Sequence, residues 1–239
     1  MNIEQSVALV TGANRGIGRA LVQALLAAGV AKAYAAARSV EKLNGFASDG
    51  RVTTVPIDVT DERSVSDLAK RASDVTLLIN NAGVLDFGSV LEAPQNAFER
   101  NFSTNFYGVL SMSRAFAPVI ERNGGGAIAN ILTLVALASM PGLGVYNASK
   151  AAAWSLTQSL RAGLSGRNIA VYGVFPGAVD TDMLAGVEMP KTSPQDVAKA
   201  VVAGVSQSTE DIFPDPMSAS LYEAWKKDHK AVERQFAAM

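Results

Sequence analysis

The chain has no cysteine and a single histidine, His229. Disulfides, thiolate nucleophiles and zinc–sulfur sites are therefore excluded. One late histidine, read as a surface residue, leaves nothing for a Ser-His-Asp hydrolase or a multi-histidine metal site, so no metal is expected. Charge is scarce: 18% of residues are charged, and 21 basic residues face 22 acidic ones with no block of either sign. Nucleic acid and anionic membrane surfaces have no electrostatic reason to bind such a chain. No apolar run is long and unbroken enough to span a bilayer. The start, Met1-Asn2-Ile3-Glu4-Gln5, has no basic stretch leading into an apolar one. The expectation is a soluble, cytoplasmic protein acting on a small molecule, with neither nucleic acid nor membrane as partner.

What is abundant is apolar: 49% of the 239 residues are hydrophobic, enough for one large core in a single domain over 1–239. Strand-like runs at Ser6–Val10, Lys32–Ala37, Val52–Ile57, Val75–Ile79, Ala127–Leu132, Ile169–Phe175 and Asp211–Phe213 are separated by helical spacings. The helices are expected over Ile17–Ala28, Asp61–Arg71, Pro94–Glu121, Tyr146–Leu164 and Pro194–Gln207. Gly29 reads as a cap just past the first helix. The alanine-rich second strand is supported by its context rather than by propensity. Buried strands alternating with helices predict βαβ units and a mostly parallel sheet. Right-handed crossovers then place helices on both faces, giving a Rossmann-type doubly wound α/β fold. A charged, amphipathic helical extension is expected over 214–239.

Thr11-Gly12-Ala13-Asn14-Arg15-Gly16-Ile17-Gly18 joins the first strand to the first helix. Glycines suit a sharp turn and the close approach of a pyrophosphate, and a helix start offers free N–H groups to phosphate. An ordinary tight turn between strand and helix is the alternative for three glycines, and the spacing is not G-x-G-x-x-G, but a nucleotide site is the favoured reading of the loop. Further on, Tyr146 and Lys150 stand four residues apart, on one face of a helix and one turn apart. A phenol titrating near ~10 is a poor proton shuttle at neutral pH, and a neighbouring ammonium favours its phenolate. Such a pair can give a proton to a developing alkoxide. Taken by itself, the pair reads more readily as an aromatic core residue with an exposed lysine one turn on, because Tyr-x-x-x-Lys often arises by chance.

The surroundings decide between these readings. The glycine loop, Asp58-Val59, Asn80-Asn81-Ala82-Gly83, Asn105, Tyr146 with Lys150, and Pro176-Gly177 with Thr181 follow in an order that resembles the classical short-chain dehydrogenase/reductase family from the first strand to about Phe213. The resemblance implies that Tyr146 is the general acid or base. It implies that Lys150 lowers the tyrosine pKa and bonds the nicotinamide ribose, and that Asn105 holds a water in a proton relay. The family's serine aligns with Thr133, thirteen residues before Tyr146. Threonine keeps the hydroxyl but adds a methyl that stiffens χ1. Ser139 is an alternative too close to Tyr146 to match the family spacing. The cofactor residues implied are Gly12, Asn14, Arg15, Gly16, Ile17, Gly18, Arg38, Asp58, Val59, Asn81, Ala82, Gly83, Tyr146, Lys150, Pro176, Gly177 and Thr181. Asp58 and Val59 belong to the adenine end, and Pro176, Gly177 and Thr181 to the carboxamide end.

NAD-preferring folds end the second strand in an acid that accepts the ribose hydroxyls. Here that region reads Ala35-Ala36-Ala37-Arg38, and Arg15 adds a second charge in the glycine loop. Guanidinium suits a 2′-phosphate, so NADP(H) is expected. Leu134-Val135-Ala136-Leu137, Leu143, Val145, Met183 and Leu184 suggest an apolar substrate pocket. Other readings stay open: a nucleotide-sugar epimerase or dehydratase, which usually has a larger C-terminal part; an NADP(H)-binding redox sensor, which loss of Tyr146 or Lys150 would mark, though both are present; and a dehydrogenase using NAD(H). The apolar helices around Phe102–Phe116 and Ala151–Leu160 predict a homodimer or homotetramer, also what the resemblance implies. Leu221, Trp225, Val232 and Phe236 form an apolar stripe in the tail, for packing on its own subunit or a neighbour.

Overall fold

The computed structural model describes residues 1–46 and 48–239. Seven parallel strands form one sheet: β1 (Val7–Thr11), β2 (Lys32–Ala37), β3 (Val52–Pro56), β4 (Leu77–Asn80), β5 (Gly126–Ile131), β6 (Ile169–Val174) and β7 (Asp211–Ile212). Their order is β3-β2-β1-β4-β5-β6-β7. The order reverses between β1 and β4, and ligands of open α/β sheets bind in the crevice beyond the strand C-termini at that point. The expected doubly wound fold is what forms.

One face of the sheet is covered by α1 (Gly16–Ala27) and α6 (Pro194–Ser206), through Leu21, Leu25, Val197 and Val201. The other face is covered by α2 (Glu62–Arg71), α4 (Val109–Arg122) and α5 (Gly144–Leu164), through Leu68, Met112, Phe116 and Leu164. The alanines of β2 alternate between these two cores. Burial on both faces, with pairing to β1 and β3, overrides their weak strand propensity.

Two expected elements differ. The long helix over 94–121 is a continuous helical run in three parts: α3 (Gln95–Phe102), a π-helical stretch (Ser103–Gly108) and α4. Pro94 is the residue before the run, and Asn105 lies in the π stretch. Wide turns of this kind are frequent at functional sites, and residue spacing does not reveal them. The tail is two helices, α7 (Pro216–Lys227) and α8 (His229–Ala237), broken at the non-helical Asp228. Gly29 sits just past α1 with φ +79, as expected of a left-handed cap.

Candidate active site

The C-terminal ends of β1, β4, β5 and β6 converge with the starts of α1 and α5. Four helices begin on a side chain that accepts backbone N–H groups: Asp61 for α2, Ser193 for α6, Asp215 for α7 and Asp228 for α8. α1 does not. Its cap residue, Arg15, offers no side-chain acceptor, and its first turn holds no acid. The free donors and the positive end of the helix dipole are therefore left for an anion.

The loop above them is shaped by close approach. Gly12 has φ +67, and a Cβ at Gly18 would lie 2.2 Å from the Gly12 carbonyl oxygen and 2.4 Å from Asn81 Nδ2. Neither position accepts a side chain in this geometry. Asn81 ties the two loops together: its Nδ2 donates to the Thr11 carbonyl at 2.9 Å, and its own amide donates to Thr11 Oγ1 at 3.0 Å. The Ala82 amide donates to the same hydroxyl at 3.0 Å. Gly16 faces Thr181, whose Cγ2 would be 3.1 Å from an added Cβ. Asn14 and Ile17 are half-buried at the loop. This is the cradle a pyrophosphate requires: free amides, close backbone and no side chain in the way.

At the far end of β2, Arg38 is exposed beside Asp58. Hydrogen bonds from Thr60 hold the Asp58 carboxyl below its usual range, with a smaller contribution from the Arg38 charge. The Asp58 Oδ1 atom accepts from both the Thr60 amide and its hydroxyl. The cap of α2 is Asp61, which accepts from the Arg63 and Ser64 amides. The Val59 side chain is buried against Gly108 of the π stretch. Arg15 needs correction: it does not join Arg38 but pairs with Asp182 at 2.8 Å, across the mouth of the cleft. Both partners are exposed, so the pair is weak and easily exchanged.

Deeper in, α5 carries Tyr146 and Lys150 on its buried face. Lys150 Nζ donates to the Ile131 carbonyl at the end of β5, at 2.7 Å. The buried Thr133 hydroxyl donates to the Pro176 carbonyl at 3.5 Å, accepts from the Val135 amide at 3.4 Å and lies near enough to the Tyr146 phenol to pull its pKa down, while Ser139 is exposed. Asn105 is fully buried, and its amide clamps the chain after β4: Oδ1 accepts the Val84 amide at 3.0 Å and Nδ2 donates to the Val84 carbonyl at 2.9 Å. Nδ2 also donates to Ser149 Oγ at 3.0 Å, linking the π stretch to α5. Gly83 lies between Asn105 and Lys150; its Cβ would be 3.2 Å from Asn105 Oδ1 and 3.7 Å from Lys150 Nζ. The buried Pro176 offers its carbonyl to the Leu134 amide at 2.9 Å, and the Gly177 amide donates to the Asp215 carboxylate at 2.8 Å.

The expectation that Lys150 lowers the tyrosine pKa is corrected. Burial pushes the Tyr146 phenol up to about 12, against the pull of the Thr133 hydroxyl. Burial also pushes the Lys150 ammonium down to about 8. Its Nζ sits 5.9 Å from the tyrosine ring centroid and is directed at Ile131. In this arrangement the phenol holds its proton at neutral pH and is a donor.

Two participants were not anticipated. Ser149 lies inside the Tyr146–Lys150 segment but spacing gives it no role. Asp215 is buried, caps α7 and holds Gly177. An aspartate just before a proline at a helix start is a legible capping signal. The apolar stripe expected in the tail packs on its own subunit: Val232 and Phe236 of α8 join the cluster that holds Tyr146.

Residues 6–191 match the family model described as short chain dehydrogenase. A sorbitol dehydrogenase of Cereibacter sphaeroides is 34% identical over 198 residues, 79% of this chain and 76% of its own. An uncharacterized oxidoreductase of Staphylococcus aureus strain USA300 is 31% identical over 215 residues, 86% of this chain and 93% of its own. A crystal structure of a short chain dehydrogenase from Burkholderia cenocepacia in complex with NADP superposes with TM-score 0.94 at 38% identity, covering 99% of both chains. One from Burkholderia phymatum in complex with NAD superposes with TM-score 0.86 at 26% identity, covering 98% of this chain and 96% of that one.

Proposed function

Because the chain belongs to the short-chain dehydrogenase family, as its match over residues 6–191 shows, we propose that this oxidoreductase reduces a ketone or aldehyde to an alcohol with NADPH, Tyr146 giving the proton. The observation that carries the reading is the buried Tyr146–Lys150 pair on α5, with Thr133 at the phenol, at the same sheet edge as the Gly12–Gly18 cradle. NADPH would be held along that edge. The α1 amides and the glycine loop take its pyrophosphate, and Arg38, Asp58 and Val59 take its adenosine end. Ala82 and Gly83 line the middle, Lys150 takes the nicotinamide ribose, and Pro176, Gly177 and Thr181 take the carboxamide. Bound there, it supplies the hydride.

The chain's own groups supply the rest. Thr133 orients the carbonyl oxygen through its hydroxyl, and Tyr146 donates its proton as negative charge develops on that oxygen. Lys150 holds positive charge near the reacting centre. The Asn105 side chain is occupied by Val84 and Ser149, so a relay water would rest on its backbone carbonyl in the π stretch. Purified protein mixed with NADPH and a panel of ketones and aldehydes tests the proposal. Cofactor oxidation that depends on the carbonyl compound is expected, and none with any compound would overturn it.

The choice of NADP(H) is supported by the exposed Arg38 and by the lack of an acid in Ala35-Ala36-Ala37-Arg38. Arg38→Asp is expected to shift the ratio of kcat/KM for NADPH over NADH by at least about tenfold toward NADH, because a charge-assisted phosphate contact becomes a repulsion. A wild-type protein that already prefers NADH contradicts this.

Homo-oligomerisation belongs to the same reading, on narrower ground than the two apolar helices suggest. Phe116 is buried in its own subunit, Leu160 packs on that core, and Trp154 packs on Phe175 and Trp225. What remains outward is Tyr107, 57% exposed, beside the half-buried Phe102 and Phe106. Light scattering at micromolar concentration is expected to show at least a dimer, and a monomer would contradict it. Among the described residues, no helix is long and apolar enough to cross a membrane.

A further inference from the structure

The tail helices are held unequally. α7 is anchored at its start by Asp215, whose carboxylate accepts the Ser218 and Gly177 amides. Along its length, Tyr222 and Trp225 extend an aromatic column that runs from Phe175 through Phe213. α8 follows after the single non-helical residue Asp228. Its buried residues are Val232 and Phe236, one turn apart, and its outer face is charged, with Lys230 paired to Glu233.

Those two side chains do not join either sheet-face core. They form a separate cluster with Leu134, Val135, Ala138 and Tyr146, bordered by Leu85 and Met140. The cluster stands at the C-terminal end of β5, where the ring of Tyr146 must meet a substrate if it is the proton donor. Val232 is 2% exposed, Phe236 5% and Tyr146 8%, so the three side chains are buried together in this one cluster. A cluster built for packing alone gains nothing from a phenol facing a threonine hydroxyl, whereas a reacting carbonyl needs both.

We infer that α8 is the apolar wall of the substrate site, with Val232 and Phe236 lining the space taken by the non-reacting side of the substrate and position 236 setting its size. This rests on the reading of Tyr146 as proton donor to a carbonyl compound. A carbonyl compound bound at the phenol lays its carbon skeleton against the two side chains. The chemical class follows. Alkyl and aryl ketones or aldehydes leave no polar group unpaired against Val232 and Phe236, whereas a polyhydroxylated skeleton leaves several hydroxyls without partners. The wall therefore separates this chain from its sorbitol dehydrogenase relative in substrate, despite their 34% identity.

The test is a comparison of kcat/KM with saturating NADPH for a small aliphatic ketone, a bulky aryl ketone and a ketose. It is made on the wild-type protein, Phe236→Ala and Phe236→Trp. The wild type is expected to prefer the aliphatic ketone to the ketose by at least about tenfold. Phe236→Ala should raise the preference for the bulky over the small ketone by about tenfold, and Phe236→Trp should lower it. A wild type that reduces the ketose as well as the ketone overturns the inference, and so do variants in which both ketones change in parallel. A wild type that reduces ketones with no such pattern leaves the carbonyl-reductase reading standing and removes only the wall. A wild type that reduces no carbonyl compound overturns the reading beneath it, and the wall with it.

Discussion

Tyr146→Phe lowers turnover of carbonyl compounds by about 10²- to 10⁴-fold, the contribution of a positioned general acid. The substitution removes one oxygen and keeps the ring in its cluster with Leu134, Val135, Val232 and Phe236. NADPH affinity is therefore expected to stay within about twofold, and folding stability within about 1 kcal/mol, because a single hydroxyl is deleted and the packing of the ring is kept. Steady-state kinetics, fluorescence titration with NADPH and denaturant unfolding read the three quantities separately. A variant retaining more than about a tenth of wild-type turnover places the proton donor elsewhere. A variant that loses turnover together with its fold would make Tyr146 a structural residue.

Lys150→Met gives the second large effect, in stability against pH. Lys150 is 4% exposed, and burial lowers its pKa from the ordinary 10.5 to about 8. Between those values the unfolded chain carries a proton that the native protein has lost. Unfolding then takes up a proton, and the native state gains stability as pH rises. The contribution of Lys150 is fully present above pH 10.5 and is lost as pH falls through about 8. Tyr146 acts in the opposite sense above its ordinary value of 10, toward about 12, and is present in both proteins. The stability of wild type minus Lys150→Met, measured by denaturant unfolding without cofactor, is therefore expected to rise by about 3 kcal/mol from pH 7 to pH 10.5. A difference that does not change with pH means that Lys150 is hydrated in the native protein. The Ile131 carbonyl loses its donor in the variant at every pH, so that loss shifts the difference without bending it.

The fold was legible because its signals are local and repeated. Each strand from Val7 to Ile212 is a short apolar run, and each helix shows its spacing within one segment. The cradle was legible for the same reason: Thr11 to Gly18 is one uninterrupted turn. What was not legible depends on side chains meeting across the fold. Arg15 looked like a partner for Arg38, yet it spans the cleft to Asp182, 167 residues away. The electrostatics of the Tyr146–Lys150 pair depend on how deeply the fold buries the two groups, and nothing in their spacing encodes that burial. The break at Asp228 was missed because the apolar stripe of Leu221, Trp225, Val232 and Phe236 continues through it. The π stretch was missed because Asn105 has the same sequence neighbours in a regular helix as in a widened one.

The measurement that reaches the centre most directly is isotope transfer. The wild-type protein is mixed with an alkyl or aryl ketone and NADPH deuterated at the transferable nicotinamide position, and the alcohol is analysed by mass spectrometry and NMR. Hydride delivery at the sheet edge with proton donation from Tyr146 predicts one deuterium on the carbinol carbon and none on the hydroxyl after exchange. It also predicts at least about a hundredfold less product from Tyr146→Phe over the same time. Alcohol formed without deuterium, or formed equally by Tyr146→Phe, would contradict that chemistry.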